Sequence, residues 1–176
     1  MPQIGDILLT LGPYRISQMI ASLTREIPGD AFSHAALVIT EGPLPLVIES
    51  VPPRTRVVTY TKAVNHAKNA LLLSPQNIPP DVRIQMAEKA LDYEGAMYGF
   101  DRYVGAALDI LLDSEWCSQH LYLSKRIPYC SVMVAAVYDA FGYDFGEPAQ
   151  GVWPSEIFAF AANHPDKYTM TEVIRS

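Results

Sequence analysis

Short apolar and β-branched runs fill the first half of the chain and predict strands. Ile4 to Thr10 and Ala35 to Thr40 have the length and composition of buried strands, and a Gly-Pro break leads from the second into Leu46 to Val51, which Pro52 stops. The second and third runs therefore predict a hairpin. Two further strands are predicted over Arg56 to Thr61 and Ala70 to Leu73.

The apolar spacing changes in the second half of the chain to one that favours helices. Pro79-Pro80-Asp81 is a helix-start signal, and apolar residues follow it at helical intervals. Ser131 to Phe141 predicts a second helix, and Pro154 to Ala161 a third that opens with Pro-Ser-Glu. With a final strand over Tyr168 to Ile174, the class is α+β, an antiparallel sheet packed against helices.

Length and composition restrict the class of protein. A chain of 176 residues predicts a single domain over residues 1–176, and 49% hydrophobic with 18% charged residues excludes a disordered chain. The net charge of -6 argues against nucleic acid as a partner, because no surplus of Lys and Arg is available for phosphates. The apolar runs are far shorter than the roughly 18 to 20 residues that cross a bilayer, so we expect no integral membrane association.

The amino terminus and the cysteines bear on localisation. No Lys or Arg precedes Arg15, which is the wrong order for a secretory signal, so a cytoplasmic protein is expected, with non-classical export or release by lysis left open. Cys117 and Cys130 cannot form a disulfide framework. A reducing compartment fits this composition and leaves each thiol free for chemistry.

Cys130 is the candidate nucleophile. It precedes the apolar helix predicted from Ser131, where unpaired backbone N–H groups and the positive end of the helix dipole favour a thiolate. The alternative is an inert residue, since free cysteine is among the most buried residue types and packs as a small hydrophobe. Position alone leaves both open.

His34 is the candidate base, because it opens the second predicted strand and a strand holds an imidazole rigidly. A four-residue turn at Glu41 to Leu44 sets a hairpin register in which His34 faces Val51. Glu49 is then the diagonal neighbour of His34 on the same face of the sheet. A register shift of one residue would separate the two side chains.

Six short motifs follow one another along nearly the whole chain. They are Gly5-Asp6-Ile7-Leu8-Leu9, Ser33-His34-Ala35-Ala36-Leu37-Val38, Val47-Ile48-Glu49, Met97-Tyr98-Gly99-Phe100-Asp101, Tyr129-Cys130-Ser131 and Trp153-Pro154-Ser155. In this order the sequence resembles the YiiX-like branch of NlpC-type cysteine peptidases, which are circularly permuted papain-like domains.

The resemblance implies a role for three residues. Cys130 would be the nucleophile, His34 the general base and Glu49 the residue that orients the imidazole. The acidic residue that usually follows Cys-Ser in the family is Val132 here, a departure that concerns the substrate more than the chemistry.

We therefore expect a cysteine hydrolase that cleaves an amide bond through an acyl-enzyme, and the resemblance implies a peptidoglycan-type peptide as its substrate. The oxyanion would meet the backbone N–H of Cys130 or Ser131 and a second donor such as the Tyr129 hydroxyl. One alternative is a thiol acyltransferase or lipase acting on lipid esters, from resemblance to lecithin retinol acyltransferase-like relatives of the same fold. The other is a non-catalytic binding module in which Cys130 is inert.

The remaining histidines and the second cysteine predict no cofactor site. Cys117 and His120 form a Cys-x-x-His unit, but no second close pair completes the four ligands of a structural zinc site. His66 and His164 lie among polar and turn-forming residues, where a surface position is expected. Neither a metal nor an organic cofactor is predicted.

Overall fold

The computed structural model describes residues 1–12, 32–98 and 129–173. The described strands are β1 (Ile7–Leu11), β2 (His34–Val38), β3 (Leu46–Val51), β4 (Arg54–Thr59), β5 (Asn69–Pro75) and β6 (Tyr168–Glu172). The described helices are α1 (Tyr60–Asn65), α2 (Pro80–Leu91), α3 (Cys130–Asp139) and α4 (Pro154–Asn163), with a short 3-10 helix over Ala149–Gly151.

The six strands form one sheet in the order β4-β3-β2-β1-β5-β6, and every neighbouring pair is antiparallel. The predicted α+β class with an antiparallel sheet and helices is confirmed. In the described part of the chain, no helix combines the length and the apolar character that crossing a bilayer would take.

The two faces of the sheet are covered by different parts of the chain, because side chains alternate along each strand. Ala35 and Leu37 of β2 share one hydrophobic cluster with Met133 and Val134 of α3. Ala36, between them, belongs to a second cluster on the opposite face, which includes residues of α1. The helix that begins with Cys130 therefore packs on one defined face of β2.

Two buried hydroxyl groups anchor α3. Near its end, the Tyr138 hydroxyl donates to the carbonyl oxygen of Gly5 at 2.6 Å. Near its start, the Ser131 hydroxyl donates to the carbonyl oxygen of Val152 at 2.7 Å. Gly5 has φ +83°, a conformation that favours glycine, and this turn presents its carbonyl to the helix. The position of α3 along the sheet is thus fixed at both ends.

One helix differs from the predicted elements. The strand expected over Arg56 to Thr61 instead starts at Arg54 and ends at Thr59, where the Thr59 hydroxyl accepts the N–H of Lys62 at 3.3 Å and caps α1. The apolar residues of this short helix, Tyr60, Ala63 and Val64, do follow helical spacing, but the pattern covers little more than one turn and overlaps the predicted strand.

The ends of other elements also differ by a few residues. The first strand starts at Ile7, after the turn at Gly5, instead of at Ile4. The Cys130 helix starts one residue earlier than predicted and ends at Asp139. Cys130 is consequently the first residue of the helix, with Tyr129 in the capping position before it.

A buried ion pair joins the start of β1 to α2. The Arg83 guanidinium donates from Nη1 to Oδ1 of Asp6 at 3.2 Å, and the N–H of Gln3 donates to the other carboxylate oxygen at 2.9 Å. The Asp6 side chain is completely buried, and 11% of the Arg83 side chain is exposed. Burial raises the pKa of Asp6, although these hydrogen bonds and the Arg83 charge oppose the rise. Arg83 also donates to the carbonyl oxygens of Ile4, Pro75 and Ile78.

We expect Arg83→Met to lower the free energy of unfolding by about 3 to 5 kcal/mol, because it leaves the buried Asp6 carboxylate without its cation. Urea unfolding monitored by circular dichroism measures the loss. The matched control is Lys89→Met in the same helix, which removes only the exposed ion pair with Asp92 and should leave the urea midpoint unchanged. Equal losses in the two variants would contradict a special role for the buried pair.

Candidate active site

The Cys130 sulfur lies at the first turn of α3. Tyr129 before it is extended, with φ -93° and ψ 175°, so the chain enters the helix at Cys130 itself. Only 1% of Cys130 is exposed. The backbone N–H groups of Ala35 and Ser131 both donate hydrogen bonds to the sulfur. The thiol is therefore buried, but it lies among donors that favour its charged form.

The donor from β2 is available because the hairpin ladder stops early. The paired residues of β2 and β3 run from Val38 and Val47 to Ala36 and Glu49. The next N–H along β2 belongs to Ala35, and it donates to the Cys130 sulfur. The sulfur thus takes the place of a strand acceptor at the open end of the hairpin.

His34 and Glu49 meet as the predicted register requires. Ala36 lies directly opposite Glu49, which makes Glu49 the diagonal neighbour of His34. Nε2 of His34 and Oε2 of Glu49 are 3.1 Å apart. The side chains of His34 and Cys130 are also hydrogen-bonded. Because Nε2 faces Glu49, Nδ1 is the ring nitrogen left for the sulfur.

The three side chains approach one another from different sides of the sheet. Glu49 lies opposite Ala36 and shares its face, whereas α3 packs on the face that carries Ala35. Cys130 and His34 therefore meet around the end of the strand. The three side chains therefore do not project from a single face of the sheet.

Arg56 is a member of the cluster that the sequence analysis did not identify. It lies opposite Glu49 across the β3–β4 pairing, and its Nε and Nη2 donate to Oε1 of Glu49 at 2.9 and 2.8 Å. The signal was present, since Val51 and Arg54 pair across the two-residue Pro52-Pro53 connection. Continuing that register by two residues along each strand places Arg56 opposite Glu49.

The charges of His34 and Glu49 support each other. Burial lowers the pKa of His34, but the charge and hydrogen bond of Cys130, followed by those of Glu49, outweigh burial and raise it to about 10. Burial raises the pKa of Glu49, but the hydrogen bonds and charges of His34 and Arg56 lower it to about 2. At neutral pH, Glu49 is therefore ionised and His34 protonated.

Cys130 completes the charge pattern. Burial raises the pKa of its thiol, yet the His34 charge and hydrogen bond and the N–H groups of Ala35 and Ser131 together bring it below the ordinary value. The arrangement favours a thiolate–imidazolium pair with a carboxylate behind the imidazolium. Such a pair supplies a nucleophile and an acid at the same place.

The side chains of Tyr129 and Ser131 contact the segment that precedes α4. The Tyr129 hydroxyl donates to the carbonyl oxygen of Gln150 at 3.2 Å, and the Ser131 hydroxyl donates to Val152 as described above. The Tyr129 ring also lies against Trp153, with 5.8 Å between ring centroids. The Tyr129 hydroxyl proton is therefore directed at Gln150.

The other histidines occupy helix ends. Nδ1 of His66 lies 2.8 Å from the carbonyl oxygen of Lys62, on the surface as predicted. Nδ1 of His164 lies 2.7 Å from the carbonyl oxygen of Phe160, and its ring stacks on Phe160, so it is partly buried instead of fully exposed. Cys117 and His120 lie outside the described residues. Within 1–12, 32–98 and 129–173, no three His, Cys, Asp or Glu side chains are grouped as metal ligands.

Comparison with known proteins identifies the fold. No protein-family model matches the chain, and no curated protein matches it. The structure is similar to a crystal structure described as the metalloprotein YiiX from Escherichia coli O157:H7, with a TM-score of 0.65 and 19% sequence identity. The match covers 99% of this chain and 98% of that one. The chain therefore has a YiiX-like fold.

We expect alkylation of Cys130 by iodoacetamide to show an inflection below pH of about 8.5, the value for a free thiol. The reason is that His34 and two backbone N–H groups stabilise the thiolate. Mass spectrometry of the Cys130 peptide, in a Cys117→Ser background, gives the rate over a series of pH values. The urea-unfolded protein is the control and should inflect near about 8.5. The same inflection in folded and unfolded protein would show that the site does not activate the thiol.

Proposed function

We propose that the protein is a cysteine hydrolase that cleaves an amide bond through an acyl-enzyme at Cys130. The observation that carries this proposal is the continuous hydrogen-bonded row from the Cys130 sulfur through the His34 ring to the Glu49 carboxylate. A cysteine that only filled the core would need no such partners, because a thiol packs well against apolar groups.

In the first step, the Cys130 thiolate attacks the carbonyl carbon of the amide and forms a tetrahedral intermediate. The N–H of Cys130, at the first position of α3, has no acceptor within the helix and is available to the oxyanion. Collapse of the intermediate breaks the carbon–nitrogen bond, and the His34 imidazolium gives its proton to the leaving amine. The product is a thioester on Cys130.

In the second step, water attacks the thioester while neutral His34 accepts a proton from it. The carbon–sulfur bond breaks, the carboxylic acid product leaves, and the thiolate–imidazolium pair is restored. Throughout both steps, Glu49 holds Nε2 of His34 and stabilises the charged ring. Nδ1 stays directed at the reacting sulfur.

We infer that the fold is a circularly permuted papain-like one and that the substrate is a peptidoglycan-type peptide. Two observations support this inference, the order of the motifs along the chain and the YiiX-like architecture. Lipid esters are the other substrate class that the same thiol chemistry would serve. The acidic chain argues weakly against a membrane-surface enzyme, since such enzymes present basic amphipathic faces.

The description of YiiX as a metalloprotein raises the question of a metal at this site. The described residues do not fit one. Both carboxylate oxygens of Glu49 are already engaged, and the cation of Arg56 lies 2.8 Å from one of them. A metal ion bound to Glu49 would face that guanidinium at close range. The proposed reaction therefore uses only the side chains and backbone described above.

We expect three substitutions to reduce hydrolysis to different extents. Cys130→Ala should abolish it, because no neighbouring group replaces the thiolate. His34→Ala should reduce it by about 10² to 10⁴-fold, since the base and acid are lost. Glu49→Gln should reduce it least, because the amide keeps a hydrogen bond to the ring. Chromatography of products from peptidoglycan stem peptides and, in parallel, from phospholipid esters measures the activity and decides the substrate class.

Residues that act as a unit are not additive, so Cys130→Ala/Glu49→Gln should be no worse than Cys130→Ala. A Cys130→Ala protein with unchanged activity on a substrate that the wild type cleaves would refute the proposed nucleophile. A Glu49→Gln protein as inactive as Cys130→Ala would give Glu49 a direct chemical role.

A further inference from the structure

We infer that Arg56 is a positioning residue of this site, acting through Glu49 on His34 and Cys130. Its catalytic consequence rests on the proposed function. Its effect on the ionisation of Cys130 does not, because alkylation reports that effect without turnover.

The geometry places Arg56 and His34 on opposite sides of one carboxylate. Oε1 of Glu49 accepts from Nε and Nη2 of Arg56 at 2.9 and 2.8 Å, and Oε2 lies 3.1 Å from Nε2 of His34. The pairings of β2 with β3 and of β3 with β4 bring the three residues together. Each carboxylate oxygen therefore has a separate cationic partner.

This arrangement restricts the rotation of the Glu49 carboxylate. The terminal torsion of a glutamate is broad, so a carboxylate bound only at one oxygen turns easily. A guanidinium is planar and rigid, and two of its N–H groups hold Oε1 in place. Fixing Oε1 also fixes Oε2, and through it the orientation of the His34 ring. Arg56 thus directs Nδ1 towards Cys130 from the far side of the site.

Arg56 also keeps Glu49 charged. In the described part of the chain, the charged groups that act on Glu49 are His34 from β2 and Arg56 from β4. The Glu49 side chain is 7% exposed, whereas that of Arg56 is 52% exposed. A surface ion pair is ordinarily worth little, but here one partner is buried, and removing the other leaves its charge without compensation.

Arg54 provides a matched control. It lies two residues before Arg56 on the same strand, so the two share a face, and it is exposed. It pairs with Val51 across the hairpin, where Arg56 pairs with Glu49. Arg54→Met therefore removes the same charge from the same edge strand while leaving the Glu49 contact intact.

The test compares the pH profile of Cys130 alkylation by iodoacetamide in the wild type, Arg56→Met, Arg56→Lys and Arg54→Met, all in the Cys117→Ser background. We expect Arg56→Met to raise the pH at which the alkylation rate inflects by about 0.5 to 1 unit. The reason is that Glu49 then protonates more readily, so that His34 loses its counter-charge. Arg56→Lys keeps the positive charge but lacks the planar guanidinium, so its inflection should lie between those of the wild type and Arg56→Met. Arg54→Met should match the wild type.

Two further variants, Glu49→Gln and Glu49→Gln/Arg56→Met, distinguish an effect of Arg56 through Glu49 from a direct effect of its charge on Cys130. In a Glu49→Gln background, Arg56→Met should cause no additional shift, since its target is gone. A full additional shift there, or an equal shift in Arg54→Met, would overturn the inference. Thermal unfolding of each variant shows whether it is folded. If Arg56→Met does not fold, the comparison of Arg56→Lys with the wild type serves as the test.

The kinetics of hydrolysis test the role of Arg56 independently of alkylation. On a stem peptide that the wild type cleaves, Arg56→Met should lower kcat by about tenfold or more and leave KM unchanged, as expected for a misoriented base. A raised KM with unchanged kcat would instead make Arg56 a substrate-binding residue and overturn the inference. If the wild type cleaves no stem peptide or lipid ester, the proposed function fails, and the alkylation profiles still decide the role of Arg56.

Discussion

The hydrogen bond from the N–H of Ala35 to the Cys130 sulfur is the contact on which the site depends. A buried backbone N–H needs an acceptor, and at this point the β2–β3 ladder supplies none. The sulfur is therefore held by the end of a strand as well as by the start of a helix. Its partners His34 and Glu49 are in turn set by the register of the same hairpin.

The precision of this contact comes from restraints that lie away from the thiol. The hydroxyls of Tyr138 and Ser131 fix α3 at its two ends, and the buried Asp6–Arg83 pair fixes the turn to which Tyr138 bonds. None of these groups takes part in the proposed chemistry. Together they determine where the first turn of the helix falls against β2, and so whether the sulfur reaches both the strand end and the imidazole.

The parts of the site that the sequence could predict were those fixed by short-range geometry. A four-residue turn and the two-residue repeat of strands were enough to pair His34 with Glu49. The approach of Cys130 to His34 involves distant segments, and only resemblance to a family predicted it. Arg56 was missed because the predicted strand began at that residue, which concealed its pairing with Glu49 through Arg54 and Val51. The short helix α1 was missed because its apolar spacing covers little more than one turn and overlaps the predicted strand.

The role of the sulfur as a strand acceptor has an evolutionary consequence. Replacing Cys130 by an apolar residue removes the proposed nucleophile and at the same time leaves the buried N–H of Ala35 without an acceptor, which costs about 1 to 3 kcal/mol. Selection on stability alone thus opposes loss of the cysteine, whether or not its thiol takes part in a reaction. A descendant without the proposed activity would tend to keep Cys130, or to remodel the end of β2 together with it.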